Sequence, residues 1–229
     1  MTKSIKTIAC IFGLISFLCP TGSVSQSDVD IETSVDNLVG RHYMDGIPYD
    51  AAHMLEPEAL PYLFELLGDP NKKPFWVNII VTIGFMENPS AVESLVAFLE
   101  NARGEVDSFT FRALLSVPYA LGCIAVNGDG RALQYLSGNL NTPLDQAARW
   151  SHRGKPVAKL IAEQSVMGLA VSGRPEARSL LLDLEAKMAQ ETGSEAYALG
   201  GDIINQAYAI MNRIATEGRA AVFNPKRED

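Results

Sequence analysis

Apolar residues run through this chain at helical spacing, and short clusters of Gly, Pro, Asn and Asp interrupt them at nearly even intervals. Four apolar stretches, Phe75 to Met86, Phe109 to Ile124, Val157 to Val171 and Ile203 to Ile214, each predict a buried helix. A breaker-rich turn follows each one: Asn88-Pro89, Asn127-Gly128-Asp129-Gly130, Ser172-Gly173-Arg174-Pro175 and Glu217-Gly218. Gly or Asn takes the left-handed position that ends a helix, and Pro starts the next one. That next helix keeps the 3.6-residue period, as in Ala91, Val92, Leu95, Phe98 and Leu99. Aligning the copies puts Gly84, Gly122, Gly168 and Asn212 in one register, spaced 38, 46 and 44 apart. A helix–turn–helix unit repeating at that length predicts an all-α fold, an α-solenoid of about four helical hairpins. Glycine inside a helix costs about 1 kcal/mol against alanine. Three of them in one register predict that a neighbouring helix approaches closely there.

The remaining segments frame this array. Ile31, Val35, Leu38 and Val39 share one helical face, which predicts a short N-terminal helix closing the open end of the stack. Asp45-Gly46 is a turn, Pro48 opens a short helix to Leu55, and Pro57 opens another carrying Ala59, Leu60, Leu63, Leu66 and Leu67. Pro118 falls inside the second apolar helix, where it frees the carbonyl of Leu114 and bends the helix. The longest irregular stretch is Asn139 to Pro156, well above the usual connector length. The organisation predicted is a leader over 1–25, cap helices over 26–56, the repeat domain over 57–223 and a disordered charged tail over 224–229.

Two stretches make the array resemble a known family. Glu58-Ala59-Leu60-Pro61-Tyr62-Leu63-Phe64-Glu65-Leu66-Leu67, and Ile83-Gly84 followed by Asn88-Pro89-Ser90-Ala91-Val92, resemble HEAT-like repeats of the type first named from phycobilisome lyases. The resemblance covers residues 57 to 222. It implies antiparallel helix pairs whose second helices line a concave face. It also implies a role as a protein-binding scaffold, with a minority of members pairing up as lyases. That family carries an Arg seven or eight residues before the Gly, where Trp76/Val77, Leu114/Leu115 and Leu160/Ile161 stand here. No binding residue of the family therefore carries over.

Composition and charge add a compartment. The formal charge of −8 argues against a nucleic-acid partner held by a general field. Lys3 and Lys6, the apolar run Ile8 to Cys19 and the small residues Ser23 and Ser25 before Gln26 form a secretory leader. Its core is shorter than the roughly 20 residues of a membrane span. Phe17 and Leu18 stand where lipidation at Cys19 would need small residues. The expectation is export to the periplasm or the medium, with no stable membrane insertion after cleavage and a mature chain starting near Gln26. Cleavage takes Cys10 and Cys19 and moves the charge from −8 to −10, since two lysines and no acid leave with the leader. Cys123 remains alone, in a core register.

Candidate chemistry is sparse. His42, Asp45, Asp50 and His53 match no zinc spacing, and the chain has no HExxH, GxSxG, P-loop or CxxC. Neither a catalytic residue, a metal nor a cofactor is assigned. Lys159 and Glu163, four apart, read as a solvated helix pair. Two surfaces are candidates for a partner protein. One is the basic-aromatic cluster Arg149, Trp150, His152 and Arg153, with Trp150 serving either as a contact or as a cover for the helices beneath. The other is the polar stripe formed by Asn78, Ser116 and Gln206 six before the anchor, Gln164 and Tyr208 four before, and Tyr119 three before. The alternatives are a binder of an envelope polymer or small ligand, or a lyase-like enzyme subunit.

Overall fold

The structure, a computed structural model, describes residues 26–44, 46–128, 130–141, 150–190, 199 and 201–224. The leader over 1–25, Asp45, Arg149 and tail residues 225–229 lie outside the described residues. The described chain is mostly helical. Helices α1 (Gln26–Val39), α2 (Tyr49–His53) and α3 (Ala59–Gly68) precede α4 (Trp76–Phe85), α5 (Val92–Glu100) and α6 (Ser108–Ile124). Then come α7 (Gly130–Asn141), α8 (Ala158–Ser172), α9 (Pro175–Gln190), α10 (Gly201–Glu217) and α11 (Arg219–Phe223). The apolar helices stand in sequence order, α4 against α6, α6 against α8 and α8 against α10. Shorter-range neighbours flank them: α3 on α4, α5 on α6, α7 on α6 and α8, and α9 on α8 and α10.

The main core lies among these helices, with Leu63, Ile79, Ile83, Leu95, Leu114, Leu121, Leu136, Leu169 and Leu181 fully buried. Residues Ser108–Asn127 have a mean hydropathy of 1.6 and the length of a membrane span, yet this stretch packs between α4 and α8. Burial on two sides explains why its apolar residues do not keep to one stripe. Val35, Leu38 and Val39 of α1 are buried, on the face their spacing predicts.

The glycine register marks backbone contact. A Cβ added to Gly122 would lie 1.9 Å from the carbonyl oxygen of Gly168, and one on Gly168 would lie 2.3 Å from that of Pro118. At Gly84 the obstacle is Ala120, whose Cα would be 2.7 Å away. All three obstacles are backbone atoms, so α4, α6 and α8 can meet at this distance only with glycine there.

The turns differ from expectation in one copy. Gly128 and Gly173 take left-handed conformations with φ of 92° and 64°, while Gly218 has a positive φ of 82° with an extended ψ of 160°. In the first copy the left-handed conformation falls to Glu87, with φ 54°, and not to Asn88. Asn88 instead caps the next turn through Oδ1, which accepts from Ser90 N at 3.0 Å. A left-handed non-glycine residue costs roughly 1–2 kcal/mol, so Glu87 must be held by something else.

The stretch Asn139 to Pro156 is also more ordered than predicted at both ends. Asn139 to Asn141 close α7. Strand β2 (Trp150–His152) pairs antiparallel with β3 (Lys155–Pro156) and parallel with β1 (Gly104–Glu105). Arg153 and Gly154 form the hairpin turn, with φ of 52° and 68° as a two-residue I′ turn requires. The Glu105 carboxylate accepts from Ser151 Oγ at 2.7 Å, which draws its pKa down.

A second, smaller core joins the two ends of the described chain. Leu38, Ile47, Tyr49, Ala52, Phe85, Cys123 and Val171 are buried together, with Tyr119 and Phe223 packed against them. Helix α11 touches both α10 and α2. Asn224, assigned to the disordered tail by sequence, instead accepts a hydrogen bond from Tyr49 N through Oδ1 at 2.8 Å.

Candidate functional site

Two places gather polar side chains, and the first is buried. Glu87 Oε1 accepts from Tyr49 Oη and from Arg219 Nε, both at 2.9 Å. Arg219 also donates to the Val171 carbonyl and lies 5.0 Å over the Phe223 ring. The two charged side chains are only 7% and 13% exposed. The Glu87 main chain is held as well, since its carbonyl accepts from Asn127 Nδ2 at 2.8 Å. This network supplies the interactions that offset the left-handed backbone of Glu87. Burial, and then Glu87 itself, push the Tyr49 hydroxyl up to about 12. Cys123 is buried, as its core register predicts, and burial raises its thiol to about 12. The network is a latch between the ends of the described chain.

The second place is open. A groove of about 470 Å³ runs across three helices. Val77 and Asn78 come from α4, Phe109, Arg112, Leu115 and Ser116 from α6, and Gln164 from α8. The segment after α1 adds Arg41, His42 and Tyr43, and the turn before α4 adds Lys73 and Pro74. Local structure fixes this arrangement. Asn78 Nδ2 donates to the carbonyls of Val39 and Arg41, each at 2.9 Å, pinning the segment after α1 onto α4. Asp107 caps α6, with Oδ1 accepting from Phe109 N and Thr110 N at 2.9 Å. Lys73 Nζ donates to the other oxygen of Asp107 at 2.8 Å. Chiefly through Lys73, the carboxyl of Asp107 is held far below the usual range.

Among the described residues the groove lining holds Arg41, His42, Lys73 and Arg112 and no Asp, Glu or Cys, in a chain of 27 acids and 19 bases. Lys73 is committed to Asp107. Among the described residues neither Arg41 nor Arg112 pairs with a carboxylate. Phe109 is 44% exposed at the rim, with Arg112 5.5 Å over its ring.

The residues proposed from sequence divide sharply. Asn78 and Gln164 line the groove, together with Ser116. Tyr119 belongs to the second core, 6.2 Å from both Phe85 and Phe223. Tyr208 faces α9, donating to Glu185 Oε2 at 3.2 Å under Arg178. Trp150 is 5% exposed and packs edge-on against Phe111, so of its two readings the structure has the cover and not the contact. His152 stacks on Phe111 at 4.3 Å, and its Nδ1 lies 2.9 Å from the Val106 carbonyl. Arg153 is exposed at the hairpin turn. Trp150 and His152 thus tie the α5–α6 connector to the approach to α8. His42 and His53 do not meet, since His42 lies in the groove and His53 Nδ1 sits 3.1 Å from the Phe85 carbonyl. Lys159 and Glu163 form the expected helix pair at 3.9 Å, with the lysine exposed and the glutamate half-buried.

Sequence reasoning missed Arg41, Lys73, Phe109 and Arg112. Arg112 stands four before Ser116, on the same helical face, so following the stripe one turn back would have reached it. The chain matches no family model, no curated protein and no solved structure.

Proposed function

We propose that this protein is an exported scaffold without catalysis of its own. Its helical pairs form an α-solenoid of about four HEAT-like hairpins, and the groove is where it takes a partner protein. The observation that carries the reading is the convergence of Asn78, Ser116 and Gln164, from α4, α6 and α8, with an exposed aromatic and two arginines that pair with no carboxylate among the described residues. Tyr, Trp, Phe and Arg are enriched where proteins meet, because they combine contact area with directional polar groups. The sequential neighbours α4, α6, α8 and α10 and the glycine contacts support the solenoid. The charged N-terminus with its short apolar run supports export. A lyase-like role would call on acids in the groove, and none is among its described lining residues.

The test is a photo-crosslinking residue at Phe109 of the full chain, in the cell that makes it, with a second at Leu182 on α9 as control. One stoichiometric protein adduct at Phe109, absent at Leu182, supports the scaffold. Equal adducts at both positions, or none at Phe109, overturn it. The volume of about 470 Å³ also suits a small ligand. Recovery of a bound small molecule in place of a protein adduct would move the conclusion to that second reading.

A further inference from the structure

We propose that the groove recognises an acidic, extended segment of the partner protein, with Arg41 and Arg112 taking its carboxylates and Phe109 and Leu115 the apolar side chains between them. The inference rests on the scaffold reading and adds the chemistry of the partner.

Charge is the first argument. An acidic molecule repels an acidic chain over most of its surface, whereas the described lining residues are cationic, with no acid among them. Such contrast sets the register of docking as well as its rate. The choice of anion is the second. The backbone N–H groups at the start of α6, which would suit a compact oxoanion, are taken by Asp107, and the same carboxylate takes Lys73. What remains free is guanidinium. Arg112 uses only Nε, toward the Ser108 carbonyl at 3.3 Å, and its terminal nitrogens make no hydrogen bond among the described residues. Guanidinium matches carboxylate in a two-pronged geometry.

Main-chain chemistry is the third argument. Both amide protons of Asn78 are spent on Val39 and Arg41, which leaves its Oδ1 as an acceptor. Ser116 Oγ donates to the Ala113 carbonyl at 2.7 Å and keeps its lone pairs. Gln164 makes no side-chain hydrogen bond among the described residues, so it offers a donor and an acceptor. A bare anion has no donor for Asn78 and Ser116. A peptide has its N–H groups.

The experiment uses the mature chain and a fluorescein-labelled peptide, Gly-Glu-Glu-Phe-Glu-Glu-Gly, read by anisotropy. Saturable binding that weakens with added salt is expected. Arg41→Glu and Arg112→Glu should each weaken it about tenfold or more, which is about 1.4 kcal/mol, with melting temperatures unchanged because both arginines are exposed. The same peptide with Gln in place of every Glu should not bind. Equal binding of the Gln peptide, indifference to both charge reversals, or full displacement by inorganic phosphate would overturn the proposal. Crosslinking at Phe109 separates the two failures. A partner adduct there without acidic-peptide binding sinks only this inference, and loss of both sinks the scaffold reading too.

Discussion

Gly122 and Gly138 are both helix-interior glycines, and the same change should have opposite effects at the two. A Cβ on Gly122 would press 1.9 Å from the Gly168 carbonyl, whereas nothing lies within 4 Å of one on exposed Gly138. Gly122→Ala must push α6 and α8 apart, so it should lose at least about 1–3 kcal/mol, the usual cost of overpacking. Gly138→Ala removes only backbone freedom and should gain up to about 1 kcal/mol. Urea unfolding of both variants checks the pair, and equal shifts would refute the close-approach account. This much was legible in the sequence, because Gly84, Gly122 and Gly168 share one register of the repeat and Gly138 does not. Glu87 was not legible. Its left-handed backbone breaks the glycine pattern, and its charge partner Arg219 is 132 positions away, beyond any local spacing rule.

At the scale of elements, two devices set stability. The α6 cap is one. Asp107→Ala should cost about 1 kcal/mol, as N-cap losses do. Because Lys73 and the helix amides depress its pKa, the folded carboxyl ionises more readily than the unfolded one, near 4. Its contribution is therefore present above about pH 4 and fades as the pH falls toward the folded value. The gap between wild type and variant should shrink over that range in acid titrations followed by circular dichroism. The latch is the other device. Arg219→Ala strands Glu87 in the interior and should cost about 3–5 kcal/mol, while Tyr49→Phe loses one hydrogen bond and about 1 kcal/mol. Tyr49 works in the opposite pH direction. Its raised pKa keeps the neutral phenol in the fold, so its contribution is intact below about pH 10 and is lost as the pH climbs toward 12. Alkaline melts of wild type should fall more steeply than those of Tyr49→Phe. The helices themselves were readable from period and breakers. The clamp of β1 and β2 was not, since it pairs two-residue and three-residue strands from connectors 46 positions apart, and neither strand is long enough to show alternation.

For the whole molecule, the groove is a product of assembly. Asn78 and Gln164 could be placed on a common face from the repeat register. Arg41 reaches them only because Asn78 ties down the segment after α1. Tyr119 and Tyr208 obeyed the repeat register and still missed the groove, because Tyr119 packs against the second core and Tyr208 turns to Glu185 of α9. A rival surface exists, an open hollow of about 630 Å³ between α5 and α7 around Val96 and Tyr135. Hydrogen exchange on the complex with whichever protein crosslinks at Phe109 decides between the two. Slowed exchange confined to residues 41–43, 73–78, 109–116 and the turn of α8 around Gln164 is the result predicted. Slowed exchange along α5 and α7, with the groove unchanged, would contradict the account.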